Sequence, residues 1–195
     1  MNKKLIARKE HQLDMDFGNA LGKLEDLDTS EVGIRECSKL FNEYSHPDFI
    51  KTIVSRLQQT FRSKHSTNLL KENVIIVVGI FAASFKSKLL SVVPALVKCI
   101  MKNFDIDRGS LQQSCARSIK EIYQHILLEN ASTDDRCSLV MQPLLDCLLT
   151  AQKTTQSTCS LALYELFLYF LTAELGADFH FLASKLLLIV NVNLF

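Results

Sequence analysis

The chain is 195 residues long, and its 48% hydrophobic and 22% charged residues exclude intrinsic disorder. Its 6 glycines and 3 prolines are too few for the frequent turns of a sheet-rich fold, so we predict an all-α protein with short loops. The formal net charge of +1 provides no overall attraction toward nucleic acid or an anionic membrane. We therefore expect neither of these as a partner.

Helix-like apolar patterns recur along the chain at a nearly constant period. Shifting the segment 47–61 by 43 residues superimposes six apolar positions on six others, and a further shift of 48 superimposes five of them again. The intervening segments repeat at 42 and 44 residues. A period of about 40–47 residues is typical of stacked helical hairpins, so we predict an α-solenoid of the HEAT or armadillo type. The alternative is an unrelated helical bundle that only resembles a repeat.

The predicted helices form four hairpins followed by one unpaired helix. The pairs are 11–26 with 30–44, 47–61 with 68–85, 88–104 with 110–128, and 135–149 with 155–171, and the final helix covers 178–192. Residues 1–10 form a basic N-terminal segment before a repeat domain at 11–195. We expect this domain to be incomplete at its C-terminus, because the fifth hairpin has no second helix.

Several residues mark the expected helix boundaries. Pro47 suits a first helical position, and Thr133 is expected to cap the helix that follows it. Gly176 is expected to reverse the chain before the final helix. Pro94 and Pro143 fall inside predicted helices and are expected to bend them.

The helix at 68–85 is apolar on nearly every side, since residues 74–81 contain a single glycine and otherwise only Val, Ile and Phe. Such a helix must be covered on several sides by neighbours. We therefore place it at the centre of the stack, with Phe81 buried. It is too short and too closely flanked by charges to be expected to span a membrane.

The cysteines form no C-x-x-C pair and have no zinc-binding spacing. Most lie on the apolar faces of predicted helices, so we expect reduced core thiols. The six are Cys37, Cys99, Cys115, Cys137, Cys147 and Cys159.

No catalytic or cofactor motif is recognisable. The segment 18–23 lacks the spacing and the Ser or Thr of a phosphate-binding loop. Asp134 and Asp135 fit a helix N-terminus, and Asp105 and Asp107 fit a solvated loop. We therefore expect no enzyme activity, no cofactor and no metal site.

The loops within the hairpins should lie along one edge of a solenoid, although they are far apart in the sequence. These loops are 27–29, 62–67, 103–109 and 150–154. Their basic residues are Arg62, Lys64, Arg108 and Lys153, with Lys102 at the end of its helix. Together they form a candidate binding site for an acidic protein partner. The alternative is that these residues are polar only because loops are exposed.

Seven segments, in this order, carry a family resemblance. They are LEDLD at 24–28, IRECSKL at 34–40, SHPDFI at 45–50, KENVI at 71–75, VPALVKCIMK at 93–102, FDIDRGSLQQSCARSI at 104–119 and VMQPLL at 140–145. Over residues 12–181 the chain resembles the N-terminal HEAT-repeat domain of the Tortifolia/Spiral microtubule-associated proteins.

The resemblance implies a TOG-like module that binds tubulin or microtubules through its loops, at the cytoplasmic cytoskeleton. Carried over to this chain, it nominates Arg62, Lys64, Arg108 and Lys153. The first loop has no aromatic residue, and Gln112 replaces an Arg that is usual in the family. These departures favour binding to the lattice or to ends over capture of free tubulin.

The final predicted helix is expected to expose an apolar patch, because no second helix follows it. Its apolar residues are Leu182, Leu186, Leu187, Ile189 and Val190. Another chain could cover the patch, or the sequence could be a shortened form of a longer protein. The patch also leaves open a second function, a general scaffold that holds other proteins on its concave face or on this helix.

Overall fold

A computed structural model describes residues 3–63, 66–150 and 152–192, and it confirms the all-α fold. Ten α-helices follow one another in the described residues. They are α1 (Lys3–Gly22), α2 (Leu27–Glu43), α3 (Ile50–Arg62), α4 (Asn68–Phe85), α5 (Val93–Met101), α6 (Gly109–Ile122), α7 (Thr133–Arg136), α8 (Gln142–Thr150), α9 (Lys153–Thr172) and α10 (Gly176–Val192). Short 3-10 segments (Lys23–Glu25, Pro47–Phe49, Lys86–Val92) and π-helical turns (Tyr123–Leu127, Cys137–Met141) complete the helical structure.

The helices stack in two layers. The first helices of the hairpins form one layer, in which α1 contacts α3 and α3 contacts α5. The second helices form the other layer, in which α4 lies between α2 and α6, and α6 lies between α4 and α9. This order of neighbours is that of an α-solenoid.

The sequence period reappears as the separation between residues that bond across neighbouring hairpins. In the first layer, the guanidinium of Arg56 donates two hydrogen bonds of 2.6 Å to the carboxylate of Asp14, 42 residues away. In the second layer, Ser118 Oγ donates to the carbonyl of Ile75 at 2.7 Å, 43 residues away. The period therefore reflects one interface that recurs between hairpins.

Helix α4 is the centre of the core, as its sequence predicts. Phe81 is fully buried, and its ring lies 5.1 Å from the ring of Phe41 and 4.8 Å from that of Phe85. In the part of the chain that the structure describes, Asn68–Met101 is apolar and long enough to cross a membrane, with mean hydropathy 1.8. Half of its most apolar window is buried inside the protein, and a core helix meets the same criteria.

Two predicted first helices are interrupted near prolines. The predicted helix 88–104 is a 3-10 segment followed by α5, in which Pro94 occupies the first turn. Pro94 therefore does not bend an α-helix, because its missing N–H falls where no partner is needed. Likewise, the predicted helix 135–149 is divided by the π-helical turn Cys137–Met141, and Pro143 stands at the start of α8.

Three helix boundaries differ from the predictions. Helix α1 begins at Lys3, so the boundary expected at residue 10 lies inside a helix. Ser132, not Thr133, caps α7, because its Oγ accepts the backbone N–H of Asp135 at 3.1 Å. Before α10 the chain reverses at Glu174, whose φ of 56° is left-handed, and Gly176 is already helical.

The last helix is less exposed than the sequence predicts. Leu182 is fully buried and Leu186 packs against the core, whereas Leu187 and its neighbour Leu188 are 64% and 58% exposed. The side chains of Ile189 and Val190 lie outside the described residues. The predicted apolar patch on α10 is therefore confirmed at Leu187 and wrong at Leu182.

Candidate functional site

The connectors within the hairpins meet at one edge of the stack. Asn73, near the start of α4, donates a hydrogen bond of 2.9 Å to the carbonyl of Leu24 in the first connector. In the same region of α4, the carboxylate of Glu72 lies 3.4 Å from Arg108 Nε in the third connector. The first and third connectors therefore flank the start of α4, which the second connector precedes.

The fourth connector continues the same edge. Thr158, one turn into α9, is fully buried and donates a hydrogen bond of 3.0 Å to the carbonyl of Phe104 in the third connector. We call this edge, formed by the described residues 23–26, 63, 66–67, 102–108 and 152, the rim. Arg62 and Arg108 belong to the same edge, since Arg62 ends α3 directly before the second connector.

Three cations cluster around a single thiol at the rim. Partial burial raises the pKa of Cys99, and the positive charges of Lys102, Arg62 and Lys98 oppose this rise. Lys98 and Lys102 stand beside Cys99 at the end of α5, Arg62 ends the neighbouring α3, and all three side chains are exposed. No ion pair within the described residues neutralises them. We call Arg62, Lys98 and Lys102 the basic cluster.

The prediction from loops and helix ends does not include Lys98, because this residue lies within α5. Lys98 stands four residues before Lys102, the C-cap of α5, so both side chains project from one face of this helix. This i, i+4 spacing is visible in the sequence and could have identified it.

Arg108 is partly neutralised by an ion pair with Glu72. Besides its contact with Glu72, its Nε donates a hydrogen bond of 3.1 Å to Ser110 Oγ, which in turn donates to Glu72 at 2.9 Å. The side chain is 43% exposed, so it remains accessible at the rim. Its guanidinium also holds the third connector against α4.

The other two predicted cations are Lys153 and Lys64. Lys153 is the first residue of α9, it is exposed, and it forms no ion pair within the described residues. Lys64 lies outside the described residues, so it stays a prediction from the sequence.

The first connector is acidic and lies earlier in the chain than predicted. Asp26 caps α2, since its carboxylate accepts the backbone N–H of Asp28 at 2.9 Å. The predicted loop 27–29 therefore belongs to the helix, and Leu27 is 74% exposed between the two carboxylates. Glu25 adds a further exposed negative charge. The rim is thus acidic at its first connector, and its third connector carries the exposed Asp105 and Asp107 beside Lys102 and Arg108.

Within residues 3–63, 66–150 and 152–192, no group of three or more His, Cys, Asp or Glu side chains could hold a metal ion.

A groove of about 710 Å³ follows α4 between α2 and α6. Its lining is mostly small or apolar, with Arg117 and Glu121 as its charged residues.

The six cysteines are free thiols, and Cys37, Cys115, Cys137 and Cys159 are buried. Burial raises the pKa of Cys37 and Cys115 to about 12. Raised pKa values leave almost no reactive thiolate near neutral pH.

We expect Cys37 and Cys115 to resist a thiol reagent in the folded protein. At pH 8, a group with a pKa of about 12 is ionised in only ~1 molecule in 10,000. Reaction with Ellman's reagent, followed by mass mapping, should label the half-buried Cys99 and Cys147 first. All six thiols should react after denaturation. Rapid labelling of Cys37 in the native protein would contradict its buried position.

A stack of helical hairpins with this period defines a HEAT-type repeat domain. A family model described as TORTIFOLIA1 N-terminal matches residues 11–190, and the chain belongs to this family. No curated protein matches the chain. Membership in this family indicates a microtubule-associated function in general. The family is not a known enzyme family.

Proposed function

We propose that the chain is a cytoplasmic microtubule-binding module that docks through its rim and so regulates microtubule organisation or dynamics. The observation that carries this proposal is the basic cluster at one edge of a nearly neutral protein. Three exposed cations that form no ion pair with any described residue favour an acidic surface, and complementary charge governs both encounter and register. Family membership supports microtubules as that surface.

The rim also supports a defined orientation on its target. The acidic first connector and the basic cluster carry opposite charge at neighbouring positions. A uniformly acidic partner surface would therefore attract the basic cluster and repel the first connector. Lys153 adds a positive charge beyond the third connector, so we propose that the second to fourth connectors make the contact.

We propose the polymerised microtubule rather than free tubulin as the target. Directly after the first connector, the first residue of α2 exposes a flexible aliphatic side chain, Leu27, in place of an aromatic residue. Gel filtration with unpolymerised tubulin should therefore give no complex under conditions in which the protein pellets with microtubules.

Charge reversal of the basic cluster tests the docking surface. The variant Arg62→Glu, Lys98→Glu, Lys102→Glu should bind microtubules at least about tenfold more weakly in co-sedimentation, because attraction becomes repulsion. Binding of the unmodified chain should weaken as salt is added. The three side chains are exposed, so the melting temperature should change little.

The matched control reverses three exposed lysines at the opposite edge: Lys9, Lys39 and Lys51. They lie in the first turns of α1 and α3 and the last turns of α2, away from the rim. The control carries the same change in net charge and should pellet like the unmodified chain. Equal loss in both variants would mean that net charge alone drives binding, and no pelleting of the folded, unmodified chain at low salt would contradict the proposal.

A further inference from the structure

Two free thiols, Cys147 and Cys159, lie in the same hairpin. Cys147 is near the end of α8 and Cys159 is in the second turn of α9, and these two helices pack against each other. Gln156 Nε2 donates a hydrogen bond of 3.1 Å to the carbonyl of Leu148, so the first turn of α9 lies against the last turns of α8. Leu148 follows Cys147 directly, and Gln156 stands about one helical turn before Cys159. Both cysteines therefore lie beside the contact that closes this hairpin.

The two thiols also act on each other. Cys159 is fully buried, and burial is the first cause that raises the pKa of its thiol. The second cause is a hydrogen bond with the thiol of Cys147. A hydrogen bond that raises the pKa of a thiol stabilises the protonated form, so Cys159 is the donor and Cys147 the acceptor. The two sulfurs are therefore unequal, since Cys159 keeps its proton and Cys147 is half-buried and within reach of solvent.

The third hairpin has cysteines at the equivalent positions, but they do not meet. Shifts of 48 and 44 residues superimpose Cys99 on Cys147 and Cys115 on Cys159. Neither Cys99 nor Cys115 contributes to the pKa shift of the other. The connector between α5 and α6 is several residues longer than the connector between α8 and α9. The contact between two thiols therefore belongs to the fourth hairpin and does not follow from the repeat itself.

We propose that Cys147 and Cys159 form a dithiol that hydrogen peroxide oxidises to a disulfide within the fourth hairpin. In the first step the thiolate of Cys147 attacks one peroxide oxygen, the O–O bond breaks, hydroxide leaves, and Cys147 becomes a sulfenic acid. In the second step the sulfur of Cys159 attacks the sulfenic sulfur and the S–O bond breaks. The departing hydroxide takes the proton of Cys159 and leaves as water. Two thiols and one peroxide thus give one disulfide and two waters, with two electrons passing from sulfur to peroxide.

The buried position of Cys159 suits the second step. A resolving thiol does not have to meet the oxidant, and a thiol held beside a sulfenic acid reacts with it as an intramolecular neighbour. Formation of the disulfide also stops the oxidation of Cys147 before the sulfinic acid, which is irreversible. Cys99 is half-buried too, but no second thiol acts on it among the described residues. It therefore lacks this protection and serves as an internal reference.

The proposal does not rest on microtubule binding. The disulfide would join the two sides of the fourth connector, whereas the basic cluster lies on the second and third hairpins. The presence of the disulfide and the binding of microtubules are thus measured separately, and either can fail alone.

Mass mapping of the folded full chain after treatment with hydrogen peroxide tests the dithiol. Dilute protein is oxidised, the remaining thiols are blocked with N-ethylmaleimide, and the peptides are compared before and after reduction. Cys147 and Cys159 should disappear together as free thiols and should be joined by a disulfide that dithiothreitol reverses. Trypsin cleavage at Lys153 separates the two cysteines, and fragmentation of the linked peptides distinguishes Cys147 from Cys137. Cys99 should be oxidised to sulfenic and sulfinic acid without forming a link inside the chain.

Two variants complete the comparison. Cys159→Ser should lose the disulfide and accumulate sulfinic acid at Cys147, because no thiol resolves the sulfenic acid. Cys99→Ser is the matched control, since it removes a half-buried thiol from the equivalent position, and it should form the disulfide like the unmodified chain. If Cys159→Ser does not fold, Cys147→Ser replaces it, and in that variant Cys159 should remain a free thiol.

Three outcomes would overturn the proposal. The first is sulfinic acid at Cys147 in the unmodified chain with no link to Cys159. The second is a Cys159→Ser variant in which Cys147 is oxidised no further than in the unmodified chain. The third is a peroxide treatment that oxidises Cys99 and leaves both Cys147 and Cys159 as free thiols.

Discussion

Asp178→Ala is expected to destabilise the protein by about 3–5 kcal/mol, because it leaves a guanidinium buried without its counter-charge. Asp178 is 2% exposed, and its carboxylate accepts hydrogen bonds from Arg136 Nε at 3.1 Å and Nη2 at 2.9 Å. The side chain of Arg136 is only 12% exposed. This pair joins α10 to α7, so its loss should also loosen the last helix.

The remaining N–H groups of Arg136 are also bonded. They donate to the hydroxyl of Thr133 and the carbonyls of Leu128 and Ala131, and the Nε–H is shared between Asp178 and the hydroxyl of Tyr123. The pKa of Arg136 is raised mainly by its hydrogen bond to Asp178. Burial raises the pKa of Tyr123, so both residues keep their protons at all ordinary pH values. A network with every group satisfied makes the removal of one member costly.

Urea denaturation monitored by circular dichroism measures this effect. Asp107→Ala, in the exposed third connector, is the matched control and should change the free energy of unfolding by less than about 0.5 kcal/mol. The double variant Arg136→Met, Asp178→Leu should recover much of the loss, because it buries no unpaired charge. A loss below about 1 kcal/mol for Asp178→Ala would show that the pair is solvated.

Phe81→Ala is expected to cost about 3–5 kcal/mol through the cavity that it leaves in the centre of the stack. Phe81 is fully buried on α4, which is covered by α2 on one side and α6 on the other. Its ring contacts the rings of Phe41 and Phe85, and neither neighbour can fill the space without leaving its own position.

The same denaturation experiment compares this change with Phe181→Ala. Phe181 is half-buried on α10, and Lys185 lies 5.7 Å from its ring centre, so its truncation should cost clearly less. Equal losses for the two variants, or a loss for Phe81→Ala below about 1 kcal/mol, would contradict a central position for α4.

The second helices of the hairpins could be predicted well because local signals coincide there. Helix α4 covers the predicted residues 68–85, since Thr67 caps it and its apolar pattern is unbroken. The helices α5 and α8 were harder to predict, because a proline in a helical pattern can start a helix as well as bend it. Val93 begins α5 after a 3-10 segment, and the π-helical turn before Gln142 has no distinct pattern in the sequence.

The candidate site was predictable only where it depended on loop placement. Arg62, Lys102 and Lys153 lie at the predicted edge because the hairpin period determines where each connector falls. The ion pair between Arg108 and Glu72 joins two different hairpins, and no local pattern in the sequence indicates it. The predicted first loop, 27–29, is wrong because Asp26 caps α2, and the helix therefore begins at Leu27.

Zero-length cross-linking to microtubules, read by mass spectrometry, tests the docking rim most directly. A carbodiimide joins lysine amines to carboxylates that touch them, so it reports which lysines meet the acidic partner. We expect links to tubulin from Lys98, Lys102 and Lys153, and their loss when salt is raised. Links confined to Lys9, Lys39 and Lys51 at the opposite edge would contradict the rim as the docking surface.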